Sequence, residues 1–234
     1  MILGARLGRG MSASQVSEAS PTSQGPDEGQ GVIKDKFGHK LDGWVQRVLP
    51  FLFRGRIDPN LLTILGAMLC LVAAAAFGAG QFVAGSIVLA VGGLCDLVDG
   101  VVARYHGIET RFGAFLDSTL DRLVDIAVML GLVIHFAAAG EQVTALVAAT
   151  GLTSSVLTSY SKARAESLDL ALPGGVVERG ERIGLLIAGG ILGLMVPALW
   201  ILAVGSTATV VQRFEGARHA LGSESDTSAL NERD

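Results

Sequence analysis

From Asn60 onward the chain is a succession of apolar stretches, at approximately 60–78, 82–104, 112–138, 142–164, 182–196 and 198–214, interrupted only by short connections. A helix needs about 20 predominantly apolar residues to cross about 30 Å of hydrocarbon. The pattern therefore predicts an all-α polytopic membrane protein with six transmembrane helices, the fifth of them short. Composition agrees: half of the 234 residues are hydrophobic, only 17% are charged, and the mean hydropathy is +0.51. The 31 glycines, roughly twice the usual share of about 7%, fit helices that must pack by close approach because lipid offers them no hydrophobic drive toward one another. The connections "GAGQ", "AAGEQ" and "MVPA" carry no Lys or Arg, whereas the intervening segments carry nearly every basic residue of the region. By the positive-inside rule this alternation predicts both termini on the cytoplasmic side of the cell membrane.

The ends read differently. Residues 1–35, rich in Ser, Gly, Gln and Glu, hold too little apolar surface to fold and lack the apolar core of a signal peptide. They predict a disordered cytoplasmic tail, within which Met11 offers a second start. Over 36–56, Trp44, Val48 and Leu52 repeat at helical spacing among Lys40, Arg47, Arg54 and Arg56, the pattern of an amphipathic helix lying on an anionic leaflet. The six-helix domain is expected over 57–216 and a polar cytoplasmic tail over 217–234. Cys70 and Cys95 both lie in apolar runs and read as packing residues rather than a disulfide. A net charge of −4 without a basic cluster gives no support to a nucleic-acid partner.

Four aspartates interrupt the hydrocarbon in "CDLVDGVVARYHGIETRFGAFLDSTLDR", Cys95 to Arg122. Asp96, Asp99, Gly100 and Ala103 share one helix face; Gly113, Asp117 and Asp121 share another. The short connection between them predicts antiparallel neighbours whose acids meet in one pocket. A carboxylate at membrane depth is costly unless paired, and like charges a few Å apart resist ionising together, so something cationic belongs there. Arg104, Arg111 and Arg122 could supply it as a helix-orienting ion-pair network, but ionisable residues inside a membrane are functional by default. Oxygen ligands, with His106 the only local histidine, favour Mg²⁺ or Mn²⁺ over zinc or copper. Two such ions about 4 Å apart would neutralise the acids and clamp a diphosphate, while Gly100, Ala103 and Gly113 leave backbone bare for a bulky nucleotide.

The spacing Asp96-x-x-Asp99-Gly100-x-x-Ala103-Arg104, then Gly113-x-x-x-Asp117-x-x-x-Asp121, resembles at every position the signature of the CDP-alcohol phosphotransferases, also called CDP-alcohol phosphatidyltransferases. With "DPNLLTILG" at the entry to the first span, the resemblance extends over roughly residues 55–215. It implies transfer of a phosphatidyl group from CDP-diacylglycerol to an alcohol. It also implies that Asp96, Asp99 and Asp117 bind divalent metal together with Asp121, which doubles as general base. Asn60, Leu61, Leu62 and Thr63 would contact the cytidine nucleotide, and Gly100, Ala103, Arg104, Thr110 and Gly113 would complete the CDP-lipid site. A homodimer is a further implication of the resemblance.

Lys162, Arg179 and Arg182 in "SYSKARAESLDLALPGGVVERGERIG", with Arg213 in "VVQRF", are expected on the same side as the aspartates. They read either as positive-inside anchors or as an anion pocket, since a phosphate monoester favours several convergent cations. "SYSKARAE", "GGVVERGER" and "VVQR" resemble the branch of bacterial phosphatidylinositol phosphate synthases, which implies inositol 1-phosphate as acceptor and Lys162, Arg182 and Arg213 as its phosphate ligands, with Arg179 beside them. Gly180 stands where that branch usually carries proline. Glycerol 3-phosphate is the nearest rival acceptor. Two other classes use intramembrane aspartates: Mg²⁺-dependent prenyltransferases, whose acidic motifs lie in separate halves of the chain, and divalent-cation transporters, in which Asp125 would extend the acidic line but repeated halves would be expected.

Overall fold

The connections between the apolar stretches are rich in helix-capping residues. In the computed structural model, which describes residues 58–172 and 174–231, they divide these described residues into six α-helices. The tail over 1–35 and the interfacial helix over 36–56 lie outside the described residues. Helix α1 (Pro59–Gly78) is opened by Asp58, whose side chain accepts the Asn60 amide at 2.9 Å, and Pro59 takes the first helical position, where no intrahelical donor is needed. Helix α2 (Phe82–His106) stops at Gly107, held at φ 61°, a left-handed conformation that a Cβ opposes. Thr110 then caps α3 (Arg111–Ala138), its hydroxyl accepting the Gly113 amide at 2.9 Å. After α4 (Gln142–Glu166), α5 (Arg179–Ile191) begins with a capping box in which the side chains of Glu178 and Glu181 each accept the other's backbone amide. Helix α6 spans Met195–Asn231.

Packing runs around a ring: α1 lies against α2 and α3, α3 against α4, α4 against α6, α6 against α5, and α5 against α2. The two acid-bearing helices thus each pack against α1. Phe77, Leu89, Leu132, Leu199 and Leu202 form the fully buried centre. Glycine allows the closest approaches. A Cβ on Gly131 would come 2.3 Å from the Ala74 carbonyl oxygen, and one on Gly92 would come 2.5 Å from the Cys70 sulfur. Both cysteines are free thiols.

Among the described residues, four helices are long and apolar enough to cross a membrane, over Pro59–Gly78, Phe82–His106, Gln142–Glu166 and Met195–Gly222. The other two depart from that measure for different reasons. Helix α3 carries the acids, and the 13 residues of α5 reach only about 20 Å at 1.5 Å per residue. The expected fifth stretch, 182–196, is in fact split by a turn at Gly193, φ 70°. "MVPA", expected as a connection, forms the first turn of α6, where the missing N–H of Pro197 goes unused. That helix continues well past its expected end near 214, because "EGARHALGSESDTSAL" contains no proline to stop it.

Candidate active site and metal centre

The two acidic faces foreseen in α2 and α3 do converge, and a short sequence of local contacts explains how. Asn60, at the start of α1, approaches α3 over Gly113, where a Cβ would sit 3.1 Å from the Asn60 Oδ1 and 3.0 Å from the Thr110 Oγ1. On α2, the Arg104 guanidinium lies over Gly100, 3.3 Å from where a Cβ would be. Small residues at both points let polar groups lie on bare helix. Between these elements runs a cleft of about 380 Å³ lined by Asn60, Thr63, Gly100, Ala103, Arg104, Thr110 and Gly113, with Asp99 and Asp117 at its inner wall. Seven of the nine residues expected to seat a CDP-lipid therefore share one cleft. The side chains of Leu61 and Leu62 do not: Leu61 is exposed, and Leu62 packs on the Val98, Val101 and Val102 cluster. An i, i+1 neighbour on a helix faces away from the residue before it.

Asp96, Asp99 and Asp117 each bring a carboxylate oxygen to within 4.8 Å of one another. Asp99 is only 5% exposed, and its Oδ2 has no hydrogen-bond partner. Leaving a buried carboxylate oxygen without a donor is unfavourable. Three convergent carboxylates, one with an unpartnered buried oxygen, fit a hard divalent cation held by oxygen ligands.

The fourth aspartate is engaged differently. Asp121 Oδ1 lies 2.7 Å from Arg179 Nη2, while Arg179 Nη1 lies 2.8 Å from Asp96 Oδ2. The cation that joins Asp96 to Asp121 is thus an arginine from α5, more than fifty positions along the chain. Arg122 donates instead to the Ser118 carbonyl of its own helix. One turn beyond Asp121, Asp125 pairs with Arg182 at 2.9 Å and lies 3.7 Å from Arg179 Nε. Nothing but the continuing i, i+4 series Asp117, Asp121, Asp125 signals this contact in the sequence.

Asp121 and Asp125 face a second cleft, of about 350 Å³, lined also by Lys162, Arg179, Arg182 and Arg213. All four cations expected to bind an acceptor phosphate meet there. Arg182 and Arg213 are each 5% exposed. Arg182 reaches the Ser155 carbonyl at 3.5 Å, and Arg213 donates to the Thr158 carbonyl. The Nε atoms of Arg179, Arg182 and Arg213 are all buried without hydrogen-bond partners. This concentration of under-satisfied donors goes beyond what positive-inside anchoring at a lipid headgroup layer requires.

The model of one protein family, CDP-alcohol phosphatidyltransferase, matches residues 56–212 of the chain. A phosphatidylinositol phosphate synthase of Streptomyces avermitilis is 39% identical over 197 residues, covering 78% of this chain and 80% of the relative. An archaetidylinositol phosphate synthase of Methanothermobacter thermautotrophicus is 35% identical over 170 residues, covering 70% of this chain and 85% of the relative. Among solved structures, Mycobacterium tuberculosis phosphatidylinositol phosphate synthase with CDP-DAG bound superposes with a TM-score of 0.65 at 32% identity, covering 78% of this chain and 94% of that one. The same enzyme in complex with manganese and citrate matches with the same TM-score at 34% identity, over 74% and 88% of the two chains.

Proposed function

The chain belongs to the CDP-alcohol phosphatidyltransferase family, and from that premise we propose that it transfers a phosphatidyl group from CDP-diacylglycerol to inositol 1-phosphate, giving phosphatidylinositol phosphate and CMP. One observation carries this reading: the aspartates stand between a cleft of small and polar residues and a cleft of four cations. A donor on one side and a phosphorylated acceptor on the other would meet at the acids. The relatives support the acceptor in particular, because enzymes named for a phosphatidyl lipid and for an archaeal lipid share an inositol phosphate product.

In this reading the CDP group lies over Gly100, Ala103 and Gly113, with Arg104, Thr110, Asn60 and Thr63 as its polar contacts and the backbone at Leu61 and Leu62 completing the seat. Asp96, Asp99 and Asp117, joined by Asp121, would hold Mg²⁺ or Mn²⁺, two ions in the full site, whose charge would polarise the diphosphate and stabilise the departing CMP. The phosphate of the acceptor pairs with Lys162, Arg182 and Arg213, with Arg179 beside them, which sets its hydroxyl toward Asp121. Asp121 accepts the hydroxyl proton as the oxygen attacks the lipid-side phosphorus and the bond to the CMP oxygen breaks. The arginines fix where the acceptor lies and the carboxylate decides when it reacts.

Membrane placement follows the same logic. Leu61, Leu65, Met68 and Val72 form an exposed apolar stripe on α1, and Ile126, Leu130 and Ile134 form one on α3. The second stripe supports reading α3 as a span despite its acids, which face inward. We therefore place six spans in the cell membrane, with both clefts and both termini cytoplasmic, and assign the working form as a homodimer. The test is CMP release by the purified protein with CDP-diacylglycerol and Mg²⁺, offered inositol 1-phosphate, glycerol 3-phosphate, inositol or serine in parallel. Release with inositol 1-phosphate alone is expected. Release with glycerol 3-phosphate instead would keep the chemistry and replace the acceptor.

A further inference from the structure

The Arg179 side chain joins the acid group to the cationic cleft. Its two terminal nitrogens clamp carboxylates from two helices, Asp96 on α2 and Asp121 on α3, while the same guanidinium lines the cleft holding Lys162, Arg182 and Arg213. Asp96 belongs to the three-carboxylate group suited to a divalent cation. A metal ion on Asp96 with Arg179 still 2.8 Å away would set two cations a few Å apart, and a guanidinium cannot relieve that repulsion by losing a proton. It must move.

The surroundings give it somewhere to go. Arg179 is the first residue of α5, and its Nε faces Asp125 at 3.7 Å, a carboxylate outside the three-aspartate group. The next residue, Gly180, has nothing within 4 Å of where its Cβ would be. Arg179 already lines the second cleft, so a rotation about the Asp125 contact would carry its two terminal nitrogens off Asp96 and Asp121 while keeping them within that cleft.

We propose that Arg179 couples cation binding to acceptor binding: it competes with the divalent cation for Asp96 and Asp121, and once displaced it becomes a ligand of the acceptor's phosphate. The inference rests on the two-cleft reading given above. It makes the metal do more than serve the donor, since metal binding frees the base Asp121 from its ion pair and completes the acceptor site in one event. Linkage then requires phosphate to tighten metal binding by the same factor.

The experiment uses the full chain in lipid nanodiscs, with Mn²⁺ binding followed by electron paramagnetic resonance, with and without saturating inorganic phosphate. Wild type is expected to bind Mn²⁺ roughly tenfold more tightly when phosphate is present, within the usual range of coupling between sites. Arg179→Gln is expected to bind Mn²⁺ more tightly than wild type in the absence of phosphate, and to lose most of the response to phosphate. Lys162→Gln removes the same charge from the same cleft but has no ion pair to Asp96 or Asp121 to release, and should raise phosphate-free Mn²⁺ affinity far less than Arg179→Gln does. Arg179→Lys keeps the charge, and an ammonium cannot span both carboxylates, so it should show the same gain in smaller degree if the glutamine variant does not assemble. Equal or weaker Mn²⁺ binding by both Arg179 variants overturns the competition, and a wild-type affinity indifferent to phosphate overturns the coupling. If Asp99→Asn binds Mn²⁺ as wild type does, the metal reading of the aspartates fails and this inference falls with it.

Discussion

The two clefts are built by opposite means. The first is made from a single run of chain with the start of α1 added, and its contribution is absence: Gly100, Ala103 and Gly113 keep side chains out of the way so that polar groups can lie on helix backbone. The second is made from charge, drawn from α3, α4, α5 and α6, and each of its buried arginines is held by a carboxylate or carbonyl on a different helix. A cleft of small residues tolerates drift in its neighbours, because nothing in it must be aimed. A cleft of buried cations does not, because each unpaired charge is costly and each pair fixes a helix position. Under the proposed function, the first cleft would recognise the donor by shape and the second the acceptor by charge, with the aspartates as the seam.

The hardest blow to that seam is Asp121→Asn. Turnover measured as CMP release is expected to fall by a hundredfold to ten-thousandfold, the usual weight of a general base, with the KM for CDP-diacylglycerol little changed. Substantial residual turnover would remove Asp121 from the base role and move the seam to the other three acids. Metal removal comes next: a chelator should abolish CMP release and added Mg²⁺ or Mn²⁺ should restore it, whereas activity that survives chelation would break the comparison at its centre.

Arg182→Ala separates the two sides. It should raise the KM for inositol 1-phosphate by roughly tenfold, the loss of one charge-assisted contact, without a matching rise for CDP-diacylglycerol; equal rises would mean that the clefts are not independent. The same variant leaves Asp125 with only the 3.7 Å contact to Arg179, so thermal stability should drop, by at most about 3 to 5 kcal/mol, and adding Asp125→Asn should recover stability but not acceptor affinity. On the donor side the corresponding change is an added methyl group. Gly131→Ala pushes a Cβ against the Ala74 carbonyl, which is backbone and cannot rotate aside, so the α1 and α3 packing that supports the first cleft should weaken by about 1 to 3 kcal/mol in thermal unfolding. Smallest is Thr110→Val, which deletes the cap of α3. A loss of about 1 kcal/mol is expected, with at most a few-fold rise in the KM for CDP-diacylglycerol.

The sequence by itself determined the helices, the ends of the first four and the grouping of the aspartates with the small residues of the first cleft. Those features are local: hydrocarbon runs fix membrane helices, Asp58, Thr110 and Gly107 mark their ends, and residues three and four apart on one helix share a face wherever that helix is placed. Where local signals are weak the pattern misleads, as at "MVPA", where a proline suggests a break and the chain instead forms a first turn. Only the tertiary structure decided which cation meets the acids. No spacing rule links Asp96 and Asp121 to Arg179, or Asp125 to Arg182, because the partners lie on different helices and are brought together by the packing of α5 against α2 and α6. Ion pairs across a bundle depend on helix rotation and depth, which are set by close contacts such as Gly190 against Ser86 and Gly92 against Cys70, and these are long-range facts that a one-dimensional pattern does not carry.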